Sequence, residues 1–216
     1  MRLPCVMATG PVRVEGLSVA VLAKAPVPGQ VKTRLAATLG PVAAARLHRQ
    51  LVLRTMQTVR QAGMQPQLWG EPISHRFFQA LSRRHGCPLW PQPSGDIGMR
   101  MHAAFIHHAR RSPLPLLLVG SDCPVLQPSH LQEAGQRLLT GEQAVFIPAE
   151  DGGYVLVGLR SPVAGLFEHI DWSTDRVMAQ TRASIRRLGL SHSELPRLWD
   201  IDRPEDWLRW QAMQDA

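Results

Sequence analysis

Lys24, Lys32 and Arg34 fall within eleven residues, on the segment Lys24-Ala25-Pro26-Val27-Pro28-Gly29-Gln30-Val31-Lys32-Thr33-Arg34. Two prolines and a glycine keep it from continuing the apolar strand before it. Ammonium and guanidinium groups neutralise phosphate oxygens, and free backbone N–H groups near Gly29 add to such a cradle. The alternative is a solvated basic loop. The spacing is not that of a Walker loop, because Gly29 stands three residues before Lys32 and the earlier glycine is missing. No Gly-x-Gly-x-x-Gly follows a strand, which disfavours a Rossmann dinucleotide site.

Carboxylates supply the opposite charge. Asp122 lies in Gly120-Ser121-Asp122-Cys123-Pro124, directly after the apolar run Leu114–Val119. An acid at the end of a buried strand is costly to desolvate unless it binds a cation or caps a helix. A hard divalent ion takes such a carboxylate together with substrate phosphate oxygens. Asp200 and Asp202 form a further acidic pair, with Asp202 placed to cap a helix starting near Pro204. In Pro148–Tyr154, Gly152 and Gly153 permit close backbone approach to a ligand and Asp151 is an acceptor for hydroxyl groups; a tight turn accounts for the two glycines equally well.

Other constellations fall short. His102, His107 and His108 lack the spacing of a zinc helix. His192-Ser193-Glu194 is half of a zinc-deaminase signature without the Pro-Cys-x-x-Cys that completes it. No Gly-x-Ser-x-Gly elbow occurs. Cys123 reads as a packed cysteine, and Trp199, Trp207 and Trp210 as packing residues.

The elements that must carry these residues alternate. Leu17–Ala23 reads as a buried strand, Val42–Gln61 as a helix, Met64–Trp69 as a strand, Phe77–Arg84 as a short helix and Cys87–Trp90 as a short strand. Met99–Arg110 reads as a helix, Leu114–Val119 as the clearest strand and Ser129–Leu139 as a helix. Strands Ala144–Pro148 and Tyr154–Leu159 follow, then a helix capped by Ser173 or Thr174 and running to Arg187, and a last helix from about Pro204. Alternation of this kind implies an α/β sheet covered on both faces, with ligands beyond the carboxyl ends of its strands.

The 216 residues fit one domain, 17–216, after an N-terminal extension at 1–16. The net charge of +7 favours anionic ligands, but the arginines come in scattered pairs, which points to a small phosphorylated ligand and not to nucleic acid. Three cysteines without a paired spacing suit a reducing compartment. No apolar run is long enough to span a bilayer, and residues 1–16 lack a signal-peptide core; a cytoplasmic location without membrane contact is expected.

In combination the motifs have a known order. Ala23–Leu35 resembles the opening signature of a bacterial family of GT-A-like transferases, the radical-SAM/selenodomain-associated or arsenosugar-biosynthesis glycosyltransferase type. Further blocks of the resemblance are Gly95-Asp96-Ile97-Gly98-Met99-Arg100-Met101, Gly120–Pro124, Asp151–Leu159, Trp172-Ser173-Thr174 and Asp200–Asp206. It covers about residues 17–208, and it extends distantly to phospholactate and molybdenum-cofactor guanylyltransferases. Val125 departs from the acidic residue expected after Cys123-Pro124, and Met99 from the polar residue often found before Arg100.

The resemblance implies a single-domain GT-A (nucleotide-diphosphosugar transferase) fold, an α/β mixed, mostly parallel sheet with helices on both faces. It implies a metal-dependent glycosyltransferase that takes a nucleotide sugar and a small-molecule acceptor, with Mg²⁺ or Mn²⁺ as cofactor. A nucleotidyltransferase joining an NTP to a phosphorylated acceptor is the alternative. By the same carry-over, Lys24, Gly29, Lys32, Arg34 and Arg100 hold phosphates, and Asp122 with Asp202 or Asp200 holds the metal. Asp122 and Asp151 are the catalytic candidates. Gly152, Gly153, Tyr154, Trp172, Ser173 and Thr174 line the substrate pocket.

Overall fold

The computed structural model describes residues 14–214. Of the expected extension, residues 1–13, with Cys5, lie outside the described residues; Gly16 N–H donates to the Gly63 carbonyl (3.1 Å), pinning Val14–Gly16 to the turn that closes the long helix.

Seven strands make one sheet: β1 (Ser18–Lys24), β2 (Gln65–Glu71), β3 (Leu89–Pro91), β4 (Leu116–Val119), β5 (Ala144–Pro148), β6 (Tyr154–Leu159) and β7 (His192–Glu194). Their order is β3-β2-β1-β4-β6-β5-β7. All neighbours pair parallel except β6, which runs antiparallel between β4 and β5. The helices are α1 (Thr33–Leu39), α2 (Pro41–Gln61), α3 (Arg76–His85), α4 (Ile97–Ala109), α5 (Pro128–Thr140), α6 (Val177–Leu188) and α7 (Pro204–Gln214).

Period-two alternation sends Val19, Val21 and Ala23 of β1 to one face and Ala20 and Leu22 to the other. The first face packs on α2, α3 and α5 through Val52, Met56, Phe78, Leu131 and Leu138. The second packs on α4 and α6 through Met101, Phe105, Met178 and Ile185. A smaller cluster joins α1, α2 and the chain's end through Leu35, Leu47, Leu51, Trp199 and Ile201, with Trp207 and Trp210 against it. The expected mixed, mostly parallel sheet with helices on both faces is what folds.

Three expectations about elements change. α1 and β7 are additional: α1 is a short helix begun by Lys32, and His192-Ser193-Glu194 is an edge strand paired with β5. α6 starts at Val177, and neither Ser173 nor Thr174 caps it. Thr174 Oγ1 instead donates to the Asp171 carbonyl (2.7 Å), and the Gly152 carbonyl receives Met178 N–H (2.8 Å) in the helix's first turn. Asp202 does not cap α7 either. The Asp206 carboxylate reaches back to the N–H groups of Asp202 and Arg203, satisfying donors that a helix start leaves open.

Candidate active site

The carboxyl ends of β1 and β4 and the start of β6 border a cleft of about 1130 Å³. It gathers Lys24, Lys32, Arg34, Arg100, Asp122, Asp151, Gly153, Tyr154, Trp172, Ser173, Thr174, Asp200 and Asp202. Residues more than 175 positions apart thus share one cavity. Gly29 and Gly152, two of the expected contacts, are absent from the lining.

Gly29 has a conformational duty. Gln30 N–H donates to the Val27 carbonyl (3.0 Å) across Pro28-Gly29, and Gly29 has φ +78°. Proline second and a positive-φ glycine third are what a type II turn requires. Gly152 (φ +91°) acts through a close approach: a Cβ there would stand 2.1 Å from the Asp175 carbonyl oxygen. Its missing side chain lets the loop carrying Trp172–Asp175 close over the β5–β6 turn. Within that turn, Asp151 Oδ1 accepts Gly153 N–H (2.9 Å).

At the junction of β1 and β4, charges meet in a buried group. Lys32 holds a left-handed backbone (φ 49°, ψ 44°), costly for a residue with a Cβ. Its side chain is 3 % exposed, and Nζ sits 2.8 Å from Asp122 Oδ1 and donates to the Ile201 carbonyl (2.5 Å). The cation is therefore spent on Asp122 and on the chain's end, not left open to the cleft.

Asp122 is divided. Its Oδ1 is sealed from solvent beside Lys32 and His48, yet 43 % of the side chain is exposed, so the other oxygen faces the cleft. Burial alone would raise this carboxyl; the Lys32 charge and the His48 ring override it and hold the group well below the usual range. Its stabilising contribution is complete at neutral pH and lost only in strong acid.

His48, on the buried stripe of α2, was not legible as a site residue. Its Nε2–H donates to the Lys24 carbonyl (2.9 Å), and Nδ1 lies 3.7 Å from Asp122 Oδ1. The only signal was a histidine within a mostly apolar helix face. Gln92 was missed for a similar reason. Its amide donates to the carbonyls of Ala23 (3.0 Å) and Trp69 (2.8 Å), tying the ends of β1 and β2 together across an irregular loop.

Arg34 pairs with Asp202 and Arg100 with Glu71, so both guanidinium groups are pre-positioned by carboxylates. Lys24, exposed at the end of β1, has no ion pair among the described residues. Tyr154 meets Trp172 edge to face at 6.4 Å, and burial pushes its hydroxyl pKa up, so it serves as a neutral wall. Cys123 is buried and its thiol is pushed up to about 12, as a packing cysteine should be.

Asp200, more than Asp202, belongs with Asp122 and Asp151. Burial, followed by the negative charges of Asp151 and Asp122, lifts its carboxyl to about 7 against the pull of Lys32. The folded chain then holds a proton that the unfolded chain releases near about pH 4, so stability falls as pH rises through that window. Asp200→Asn removes this penalty. Its melting temperature should stay nearly flat between about pH 5 and pH 8 while that of the wild type drops. Parallel curves for the two proteins would place the proton elsewhere.

The donors suit a hard cation in character. Asp122 offers an open oxygen, and Asp200 and Asp151 repel one another in a way that a positive ion relieves. Among the described residues no three His, Cys, Asp or Glu side chains stand close enough to cage an ion.

The sheet order, the antiparallel β6 and the cleft beyond β1 and β4 define an α/β nucleotide-diphospho-sugar transferase fold. The chain belongs to the bacterial family described as "Uncharacterized protein conserved in bacteria (DUF2064)", which matches residues 52–174. It is similar to a protein from Desulfovibrio desulfuricans G20 provisionally described as a nucleotide-diphospho-sugar transferase, with TM-score 0.80 and 28% identity over 88% of this chain and 83% of that one. It shares its fold with a nucleotidyl transferase from Methanothermobacter, at TM-score 0.59 and 16% identity over 91% and 97% of the two chains. Glucosyl-3-phosphoglycerate synthase from Mycobacterium tuberculosis, solved with Mn²⁺, UDP and its product, aligns at TM-score 0.55 and 13% identity over 93% and 77%. No curated protein matches. Among the described residues, no helix is long and apolar enough to cross a membrane.

Proposed function

We propose that the chain is a glycosyltransferase that moves a sugar from a nucleotide-diphosphate donor to a hydroxyl of a small acceptor. The observation that carries this reading is Asp122: one oxygen is fixed by Lys32 and His48, and the other is open to a cleft bordered by cations. The likeness to the Desulfovibrio protein and the resemblance to the arsenosugar-biosynthesis type of glycosyltransferase point the same way.

In this reading Lys24, Arg34 and Arg100 receive the diphosphate, and Lys32 keeps the Asp122 carboxylate ionised and oriented. Asp122 and Asp200 would hold Mg²⁺ or Mn²⁺, which when bound supplies charge stabilisation for the departing diphosphate. Asp202 steadies Arg34. Asp151 takes the acceptor proton as the acceptor oxygen bonds to the anomeric carbon. The bond from that carbon to the phosphate oxygen breaks, and its electron pair leaves with the nucleoside diphosphate. Tyr154 and Trp172 exclude water, and Gly153, Ser173 and Thr174 offer polar contacts to the sugar or acceptor.

Nucleotidyl transfer has one observation in its favour: Lys24, without an ion pair among the described residues at the end of β1, suits a triphosphate tail. There an acceptor phosphate oxygen would bond to the α-phosphorus, and pyrophosphate would leave with the electrons of the broken bridge. Melting curves with nucleotide sugars and with NTPs, each with Mn²⁺, Mg²⁺ or chelator, separate the two. A ligand at about 100 times its Kd adds roughly 2.7 kcal/mol, several degrees for a domain of this size. A metal-dependent rise with one nucleotide sugar alone supports glycosyl transfer, and a rise with NTPs alone transfers the case to nucleotidyl transfer.

Lys24→Ala should weaken diphosphate binding by roughly 1.5–3 kcal/mol, the worth of a charge-assisted hydrogen bond. Isothermal titration with the nucleotide diphosphate and Mn²⁺ checks this, and an unchanged affinity would make Lys24 a surface cation.

A further inference from the structure

A second cavity, about 530 Å³, adjoins the cleft at Trp172. Trp172 lines both cavities and is the residue they share. Gly98 makes this position possible, because a Cβ there would stand 2.5 Å from the ring. Phe167 and Ile170, both buried, line the small cavity, and Met99 lies on its lining 59 % exposed. An apolar side chain held that open at the mouth of a cavity leaves an apolar surface for something else to cover.

The charges are of one sign. Among the described residues, the acidic side chains that line the cavity are Asp96, Glu168 and Asp171, no lysine or arginine joins them, and His169 is the one basic group. Asp96 accepts Met99 N–H at the start of α4, and Asp171 pairs with Arg176, which leaves Glu168 without an ion partner among the described residues. The main cleft continues the trend. Among the described residues, four of its five Lys and Arg (Lys24, Lys32, Arg34 and Arg100) precede β4, whereas from Gly120 onward its lining has seven carboxylates and one such cation, Arg203. The whole chain is divided in the same way: residues 16–121 have thirteen Lys and Arg against two acids, residues 122–216 nine against fourteen.

We propose that the cavity beyond Trp172 is the acceptor subsite and that it accepts an apolar alcohol bearing no negative charge. The proposal rests on the transferase reading and narrows it. The anionic donor belongs to the basic side of the cleft. The acceptor enters over Trp172, with its apolar body on Phe167, Ile170 and Met99 and its hydroxyl toward Asp151. An acceptor phosphate at that end would meet carboxylates of its own sign, with few cations to offset them. The subsite therefore selects against the phosphorylated acceptors that nucleotidyl transfer would need.

The test uses three probes with one apolar body: 3-phenylpropanol, 3-phenylpropylammonium and 3-phenylpropyl phosphate. Their Kd values are read by saturation-transfer NMR on the full chain, with the melting shift of UDP, GDP and CDP plus Mn²⁺ recorded on the same samples. The alcohol and ammonium probes should bind at least about tenfold more tightly than the phosphate. Trp172→Ala should weaken the alcohol about tenfold, and Met99→Lys, a change at an exposed position, should narrow the gap between alcohol and phosphate to about threefold. If Trp172→Ala does not fold, Met99→Lys decides alone. Phosphate bound as tightly as the alcohol, no binding of any probe at millimolar concentration, or a gap unmoved by Met99→Lys overturns the subsite. A nucleotide shift that persists in those cases leaves the transferase reading standing; its absence with intact probe selectivity overturns that reading alone.

Discussion

Asp122→Asn should abolish the metal-dependent part of nucleotide binding while the sheet stays folded. The substitution keeps the shape of the side chain and removes its charge, so the open oxygen loses its hold on a hard cation. Lys32, 3 % exposed, would lose its counter-charge, and a buried cation without a partner is costly. Exposure of the Asp122 side chain to the cleft moderates that cost, because water can reach the vacated charge; a loss of about 1–3 kcal/mol is expected. For a chain of this length that lowers Tm by roughly 2–12 °C. The effect on binding should be larger: the difference in nucleotide affinity with Mn²⁺ and with chelator that the proposed function predicts for the wild type should vanish. Two titrations check it, and a variant that still distinguishes Mn²⁺ from chelator would move the metal away from Asp122.

Gly152→Ala carries the second large effect, through sterics alone. The added Cβ meets a backbone carbonyl at 2.1 Å, an atom that cannot rotate aside, and the backbone stands at φ +91°, where side chains are strained. Backbone strain and overpacking each cost roughly 1–3 kcal/mol, so a total near about 4 kcal/mol is expected, with Tm lowered by roughly 8–16 °C. Met178 N–H, which donates to the Gly152 carbonyl in the first turn of α6, should lose hydrogen-exchange protection in the same variant. A melting temperature within a degree of the wild type would show that the loop at Asp175 yields without cost.

The contrast between Asp122 and Gly152 also indicates what can be read from residues alone. Strands such as β4 and helices such as α2 are legible because burial imposes a period on the sequence. Asp122 is legible as a site residue because an acid after four buried apolar residues needs a reason. The duty of Gly152 is not, since its neighbour Asp175 lies 23 positions away and only packing brings them together. The phosphate roles expected of Lys32 and Arg34 follow from side-chain type, but type does not reveal that Asp122 and Asp202 already engage them. Asp200 and Asp202 differ by two positions along an irregular segment, and their separate surroundings, one among carboxylates and one beside Arg34, are set by chain direction. His48 was hidden because its partners are a backbone carbonyl and a residue 74 positions on. α1 and β7 are too short for periodicity to announce them.

Segment 198–202 connects these details. Leu198 N–H donates to the Pro148 carbonyl, Glu150 N–H to the Leu198 carbonyl and Ile201 N–H to the Asp122 carbonyl, while Lys32 Nζ donates to the Ile201 carbonyl. None of these ties joins two of the seven strands, yet together they bring Asp200 to Asp122. The sheet's last strand ends at Glu194, so the segment lies beyond all seven strands in the chain. Displacement of this one segment would therefore part Asp200 from Asp122 while leaving every strand pairing in place.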